Sequence, residues 1–225
     1  MRKFSLLGLV AVGSVLFSSL ASATPVTGTA NIAGTVNVNT SGVFFTNTMI
    51  PGPNDGSFAG ATSATLMNLV GPPTTGAVDI PSFATFTTPT GTVHFDLQNI
   101  FAGAGSAGAC GSNTVGNVCT PTGSPFTLIQ AAPGQVTISL ALSGIAYTGT
   151  AASGSSPAPF SFSTQNTMPG TITGILAAVN TDGGFTNSYS ATLTATSPIP
   201  EPASVLLMGA GLLAAGLVSR RKIRG

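Results

Sequence analysis

Stretches in which apolar and polar residues alternate recur through the middle of the chain. Val93, Phe95 and Leu97 alternate with polar neighbours, and the same two-residue period runs through 136–143 and 189–196. Because successive side chains of a strand point to opposite faces, each stretch predicts a strand with one buried and one solvated face. Weaker stretches bounded by Gly, Pro, Asn and Asp predict further strands at 26–38, 43–47, 64–70, 83–87, 126–130, 160–164 and 171–179.

About ten short strands of this kind predict an all-β fold, either an antiparallel β-sandwich or a jelly roll, in one domain spanning 24–198. The clearest local prediction is a hairpin. Residues 172–179 run into the turn 180–184, and 185–196 run back, because Asp182 and Gly183 supply the positive φ values of a tight turn. Asp182 is then interpreted as a turn residue, and so is Asp55 within the Pro- and Gly-rich stretch 51–56.

All cationic side chains lie at the two ends of the chain: Arg2, Lys3, Arg220, Arg221, Lys222 and Arg224. Residues 24–198 contain no Lys or Arg, and their only acids are Asp55, Asp79, Asp96 and Asp182. A protein that grips a nucleic-acid backbone neutralises phosphates with Lys and Arg, so this composition excludes nucleic acid as a partner. The interior is instead neutral and rich in Gly, Thr, Ser and Asn.

The first 23 residues have the pattern of a secretory signal peptide. Two basic residues precede an apolar run from 4 to 17, and Ala21 and Ala23 form the A-x-A pattern that signal peptidase accepts. We expect cleavage after Ala23, so that the mature chain begins at Thr24. The alternative is an uncleaved anchor, but a helix over this run reaches only about 21 Å against roughly 30 Å of hydrocarbon.

The other end combines a proline-rich segment, an apolar stretch at 203–218 and a basic tail at 219–225. As a helix, 203–218 reaches about 24 Å, which predicts a short transmembrane segment. The basic residues Arg220, Arg221, Lys222 and Arg224 act as a stop signal on the cytoplasmic side, which leaves 24–198 outside. The segment before the helix reads Ile199, Pro200, Glu201 and Pro202.

These three parts in this order resemble the PEP-CTERM sorting signal of Gram-negative bacteria, also labelled the ice-binding protein C-terminal domain. The resemblance covers 199–225 and departs from the usual pattern only in having Ile199 where Val is common. It implies recognition and cleavage by exosortase near Pro200-Glu201-Pro202, an inner-membrane-anchored intermediate, and release to the cell surface or exterior together with exopolysaccharide. An ordinary single-pass anchor is the alternative, because Pro-rich junctions before helices are common.

Cys110 and Cys119 enclose eight residues, and in an exported chain two such cysteines are expected to form a disulfide. Metal binding is the alternative, but zinc needs more ligands than one cysteine pair. The six residues 103–108 match G-x-G-x-x-G but lead into a loop and not a helix, so no phosphate site is expected. No metal and no cofactor is predicted, although scattered Asp residues leave a bound calcium ion open.

His94 and Asp96 are two positions apart on one strand, so both point to the same face. We interpret that face as solvated and predict no catalytic residue, because no G-x-S-x-G elbow accompanies the pair. The expected function is that of a non-enzymatic exported surface or extracellular-matrix protein, of the kind found in biofilms, that touches exopolysaccharide through hydroxyl groups. The alternatives are a specific carbohydrate- or ice-binding protein and, third, a secreted hydrolase built around His94.

Overall fold

The computed structural model describes residues 25–151, 154–164, 169–181 and 183–197. Strands dominate this part of the chain, together with one α-helix, α1 (Ile172–Val179), and two short 3₁₀ turns, Gly56–Phe58 and Ala107–Gly111. The strands are β1 (Gly28–Asn39), β2 (Gly42–Met49), β3 (Ser63–Leu66), β4 (Leu69–Val70), β5 (Gly76–Thr88), β6 (Gly91–Ile100), β7 (Val118–Cys119), β8 (Thr127–Ala132), β9 (Gln135–Thr148), β10 (Ser156–Thr164) and β11 (Phe185–Ala195).

The strands form one curled antiparallel sheet in the order β3-β5-β6-β9-β10-β11-β1-β2-β4. In addition, β8 pairs with the first half of β9, and β7 pairs with β8. The predominance of antiparallel strands is thus confirmed, but the strands are not divided into the two stacked sheets of a sandwich or jelly roll. A two-residue hydrophobic period gives each strand one buried face in either arrangement, so it cannot distinguish them. Register shifts along β1, β5 and β6 bend the sheet so that it encloses its own core.

The two ends of the strand order are connected by the segment 63–70. β3 pairs with β5 at one end, and β4 pairs with β2 at the other. The single strand predicted at 64–70 is divided in the structure at Met67 and Asn68. Asn68 Oδ1 accepts the Phe45 N–H at 2.8 Å, which holds the break against β2. One short segment therefore spans both edges of the curled sheet.

Phenylalanine rings fill the concave side. The ring of Phe83 meets those of Phe45, Phe95 and Phe160 with centroid distances between 6.0 and 6.3 Å. Phe95 also stacks on Phe160 at 5.8 Å. These rings come from β2, β5, β6 and β10, and such pairs stabilise by about 0.5–1.5 kcal/mol each beyond the burial of their area. The alternate, polar positions of the same strands therefore face solvent.

Residues 172–179 form α1, so the predicted strand at 171–179 and the hairpin with 185–196 are both wrong. β11 pairs with β10 and β1 instead. The apolar residues of this segment recur at spacings of three and four, which places them on one face of a helix. They are Ile172, Ile175, Leu176 and Val179. Asp182, the predicted turn residue of the hairpin, lies outside the described residues.

The start of α1 is held by side chains. Thr171 Oγ1 accepts the Gly174 N–H at 3.2 Å, and Gln130 Oε1 of β8 accepts the Ile172 N–H at the same distance. These N–H groups have no partner within the helix itself. Gln130 is 1% exposed, and its Nε2 donates to three backbone carbonyls, one of them that of Gly170. The helix thus depends on a residue 42 positions away in sequence.

The loop containing Asp55 continues the sheet beyond the end of β2. The Asp55 carboxylate accepts the Thr29 N–H, and Asn54 Oδ1 accepts the Asn31 N–H at 2.7 Å. The Asp55 N–H in turn donates to the Thr29 carbonyl at 3.1 Å. The turn interpretation of Asp55 is therefore incomplete, because its carboxylate and N–H also make hydrogen bonds with Thr29 that a neighbouring strand would otherwise make with β1.

Candidate functional site

A neutral, hydroxyl-rich surface covers the solvent-facing side of β9, β10, β11 and β1. Ser163 of β10 lies beside Ser139 of β9 and Ser190 of β11, so three serines form one row across the strands. The next rows add further small polar side chains. We call this surface the hydroxyl face, comprising Thr29, Asn31, Ser139, Ser143, Ser161, Ser163, Ser190, Thr192 and Thr194.

The side chains of the hydroxyl face are exposed or half-buried. Thr192 lies between Ser161 and Asn31, and its Oγ1 donates to Asn31 Oδ1 at 3.2 Å. Thr29 faces Thr194 in the neighbouring row. Adjacent strands are about 4.8 Å apart, so the rows present closely spaced donors and acceptors without charge.

A second group of polar side chains lies on the same side of the sheet, on β5, β6 and β9. Ser82, His94, Asp96 and Tyr147 contact one another, and we call them the Ser82 cluster. Asp96 Oδ1 accepts the Ser82 N–H at 2.6 Å and the Tyr147 hydroxyl at 3.0 Å. Ser82 Oγ lies 3.2 Å from His94 Nδ1. The strand pairing brings together residues that are up to 65 positions apart in sequence.

The rings of His94 and Tyr147 stack across β6 and β9, with centroids 5.4 Å apart and planes inclined by 18°. Tyr147 is only 8% exposed. Burial raises the pKa of Tyr147, and the hydrogen bond to Asp96 raises it further, since the carboxylate accepts only from the neutral phenol. A smaller opposing effect comes from Ser82. Tyr147 is therefore a neutral donor that orients the Asp96 carboxylate.

His94 and Asp96 point to one face as predicted, but that face is more than a solvated strand surface. Both are half-buried. Ser82 and Tyr147 were missed because they come from other strands. One signal for Ser82 exists in the sequence: the adjacent apolar residues Phe83 and Ala84 break the two-residue period and indicate a bulge in β5. The structure shows that bulge as a register shift between Ile80 and Ala84.

The structure contains a disulfide between Cys110 and Cys119, whose Cα atoms are 5.2 Å apart. The enclosed loop is held by Asn117, which donates to the carbonyls of Ala109 and Ser112 at 2.8 Å each. The loop contacts the first turn of α1. This disulfide therefore has a structural role beside the helix.

A hollow of about 360 Å³ lies between α1 and one end of the sheet. Its walls include Phe126, Ile138, Leu176 and Phe185, together with the polar Asn180. Its lining residues carry no ionisable side chain. Across the described ranges, His, Cys, Asp and Glu do not come together in groups of three or more. The hollow therefore offers a ligand a mainly apolar wall with a few uncharged polar groups.

Several predicted sites lie outside the described residues. They are the signal-cleavage residues Ala21 and Ala23, the sorting residues Ile199, Pro200, Glu201 and Pro202, the apolar helix 203–218, and the basic residues Arg220, Arg221, Lys222 and Arg224. None of the helices within the described ranges has the length and apolar character needed to span a membrane.

Residues 198–222 match the family model of the PEP-CTERM protein-sorting motif. The chain carries a PEP-CTERM motif. The match coincides with the segment at 199–225 that resembles this signal in the sequence. The PEP-CTERM motif implies an exported protein that is sorted by exosortase, with a membrane-anchored intermediate and later release at the surface. No curated protein and no solved structure matches the chain.

Proposed function

We propose that this chain is a non-enzymatic protein of the cell surface or extracellular matrix that associates with exopolysaccharide after processing by exosortase. The observation that carries the proposal is the PEP-CTERM motif at 198–222. Signal peptidase removes residues 1–23 after Ala23. Exosortase then acts on the inner-membrane-anchored intermediate near Pro200-Glu201-Pro202 and frees the 24–198 domain.

The distribution of charge supports this route. Cations at both extremities suit a signal peptide and a cytoplasmic stop signal, and both are removed by the proposed processing. The remaining body has no Lys or Arg, so salt in the surroundings has little effect on its contacts. Such a body suits an exterior location where ionic conditions vary.

The hydroxyl face supports the contact with exopolysaccharide. Ser, Thr and Asn side chains both donate and accept hydrogen bonds, as sugar hydroxyls do, and they need no charge on the ligand. Thr192, Ser161 and Asn31 lie side by side on three adjacent strands, so a polymer crossing the strands meets one polar group after another. Individual contacts of this kind are weak, and their repetition supplies the affinity.

A second candidate is a specific carbohydrate- or ice-binding protein. The pairing of Thr29 with Thr194, next to Thr192, places threonines on neighbouring strands of one face. Recognition of ice requires a flat, regular array, whereas these rows mix Thr with Ser, Asn and Ala on a curled sheet. This irregularity favours sugar over ice. If the purified protein showed thermal hysteresis, ice and not sugar would be the favoured ligand.

The sorting part is tested by the intact mass of the product recovered from an exosortase-containing host. We expect the wild type to lose residues 1–23 and the C-terminal segment. A variant with Pro200→Ala, Glu201→Ala and Pro202→Ala is expected to lose only the signal peptide and to remain in the membrane. Equal C-terminal cleavage of both chains would contradict sorting through this motif.

The polysaccharide part is tested by co-sedimentation of the processed protein with exopolysaccharide from the same host. Thr192→Val and Thr194→Val remove two hydroxyl groups from the hydroxyl face while keeping β-branched shape. We expect the double variant to sediment less than the wild type. Thr87→Val, at an exposed position of β5 outside this face, is the matched control and is expected to behave as wild type. Unchanged sedimentation of the double variant would contradict the proposed surface.

A further inference from the structure

We propose that Ser82 is a nucleophilic serine, activated by His94, that accepts an acyl group from a neutral carboxylic ester. The transfer modifies the protein itself at the solvent-facing side of β5 and does not require turnover. It goes beyond the surface role proposed above and is independent of it.

Ser82 has a backbone conformation that its surroundings impose. Its φ is 51°, in the left-handed region that a non-glycine residue adopts at an energetic cost. The residue lies in the register shift between Ile80 and Ala84, where β5 leaves its regular pairing with β6. The Asp96 carboxylate accepts the Ser82 N–H at 2.6 Å and holds it there. Outliers of this kind that are held by specific partners concentrate at functional sites.

The shift in register brings the serine hydroxyl to a base. Ser82 Oγ lies 3.2 Å from His94 Nδ1, and His94 is the single histidine of the sequence. When the histidine carries its proton on Nε2, Nδ1 accepts the serine hydroxyl. The His94 ring is oriented by stacking on Tyr147, whose hydroxyl donates to Asp96 at 3.0 Å. A nucleophile beside a base that is itself oriented by a third group is the arrangement that activates serine.

The charge around the Ser82 cluster limits the acyl donor to neutral esters. The 24–198 body contains no Lys or Arg that could hold a phosphate or a carboxylate. The Asp96 carboxylate lies beside the serine and repels anions. The cluster also lies on the outer side of the sheet, so the ester approaches from solvent.

The proposed step needs no oxidant or metal. Ser82 Oγ attacks the carbonyl carbon of the ester, and its proton passes to His94 Nδ1. The tetrahedral intermediate then expels the alkoxide, which takes the proton from His94 and leaves as an alcohol. One C–O bond of the ester is broken, and one bond between Ser82 Oγ and the acyl carbon is formed.

The test uses p-nitrophenyl acetate as the ester, with release of p-nitrophenol followed by absorbance and the acetylated residue located by peptide mass mapping. We expect about one equivalent of acetyl per chain, on Ser82. His94→Gln is expected to slow the reaction at least about tenfold, as loss of a general base does. Ser63→Ala, at an exposed serine of β3 outside the cluster, should react at the wild-type rate.

Ser82→Gly separates chemistry from folding. Glycine adopts a φ of 51° without strain, so this variant keeps the bulge while it loses the hydroxyl. We expect its stability to equal or exceed that of the wild type, and its acetylation at this site to be absent. Acetyl groups spread over many exposed serines, or a rate of p-nitrophenol release unchanged in Ser82→Gly or His94→Gln, would overturn the proposal.

Discussion

Asn113 and Thr173, 60 positions apart in sequence, are joined by three hydrogen bonds. Asn113 Oδ1 accepts the Thr173 N–H at 3.1 Å and its hydroxyl at 3.3 Å, while Nδ2 donates to Thr173 Oγ1 at 2.9 Å. Thr173 lies in the first turn of α1, where N–H groups have no partner within the helix. Asn113 lies inside the loop closed by Cys110 and Cys119. The disulfide thus restrains a residue that caps the helix.

The stability lost when this cap is removed is expected to depend on whether the disulfide is present. We expect Asn113→Ala to lower the free energy of unfolding by about 1 kcal/mol, as removal of a capping side chain does. Removing both Cys110 and Cys119 by substitution with Ser is expected to cost about 2–3 kcal/mol through the freed loop. Without the disulfide, Asn113→Ala should cost less, because the loop no longer holds Asn113 at the helix. Urea unfolding of the four proteins measures this coupling, and an equal cost in both backgrounds would contradict it.

Gly144 allows β9 to approach β6 next to the Ser82 cluster. A methyl group at this position would lie 1.8 Å from the Asp96 carbonyl oxygen and 2.9 Å from the Phe95 ring. We expect Gly144→Ala to lower the free energy of unfolding by about 1–3 kcal/mol, as overpacking of a core does. Gly108→Ala is the control, because its added methyl group would meet no atom within 4 Å. Similar thermal unfolding of the two variants would show that the close approach is unimportant.

The Ser156 hydroxyl is fully buried and, within the described residues, finds no hydrogen-bond partner. A buried hydroxyl without a partner loses its hydration and gains nothing in exchange. Ser156→Ala is therefore expected to raise the free energy of unfolding by up to about 1 kcal/mol. Differential scanning calorimetry would detect the higher Tm. A clear loss of stability would mean that the hydroxyl stabilises the fold.

Tyr189 makes stability sensitive to alkaline pH. Burial raises its pKa above the ordinary value of about 10, and the hydrogen bond with Thr48 opposes this to a smaller extent. The unfolded chain therefore releases the phenol proton at lower pH than the folded protein. The resulting stabilisation is fully present below the unfolded pKa and is lost as pH rises from there through the folded pKa.

We therefore expect the free energy of unfolding to fall from about pH 10 upwards, and to fall less steeply in Tyr189→Phe. Urea unfolding at pH 8 and pH 11 measures both slopes. Tyr147, whose pKa is also raised, contributes to the same loss and remains in the variant. An identical decline in wild type and Tyr189→Phe would exclude Tyr189 as a source.

Strands were predictable where one face of each is buried. The alternation around Val93, Leu140 and Leu193 reflects only the direction of successive side chains, and β6, β9 and β11 confirm it. α1 was not predicted, although Ile172, Ile175 and Leu176 have helical spacing. Its eight residues are too few to form an isolated helix, and side chains from elsewhere in the fold stabilise it.

The sequence by itself determined the sorting motif, the charge of the body and the buried side of most strands, because each depends on neighbouring residues alone. Only the tertiary structure decided that the strands form one curled sheet and that Ser82, His94, Asp96 and Tyr147 lie together. That arrangement depends on strand order and on the register shift between Ile80 and Ala84. Both are set by pairing between strands distant in sequence. A change of one residue in the pairing register of a strand would move its side chains to the opposite face of the sheet.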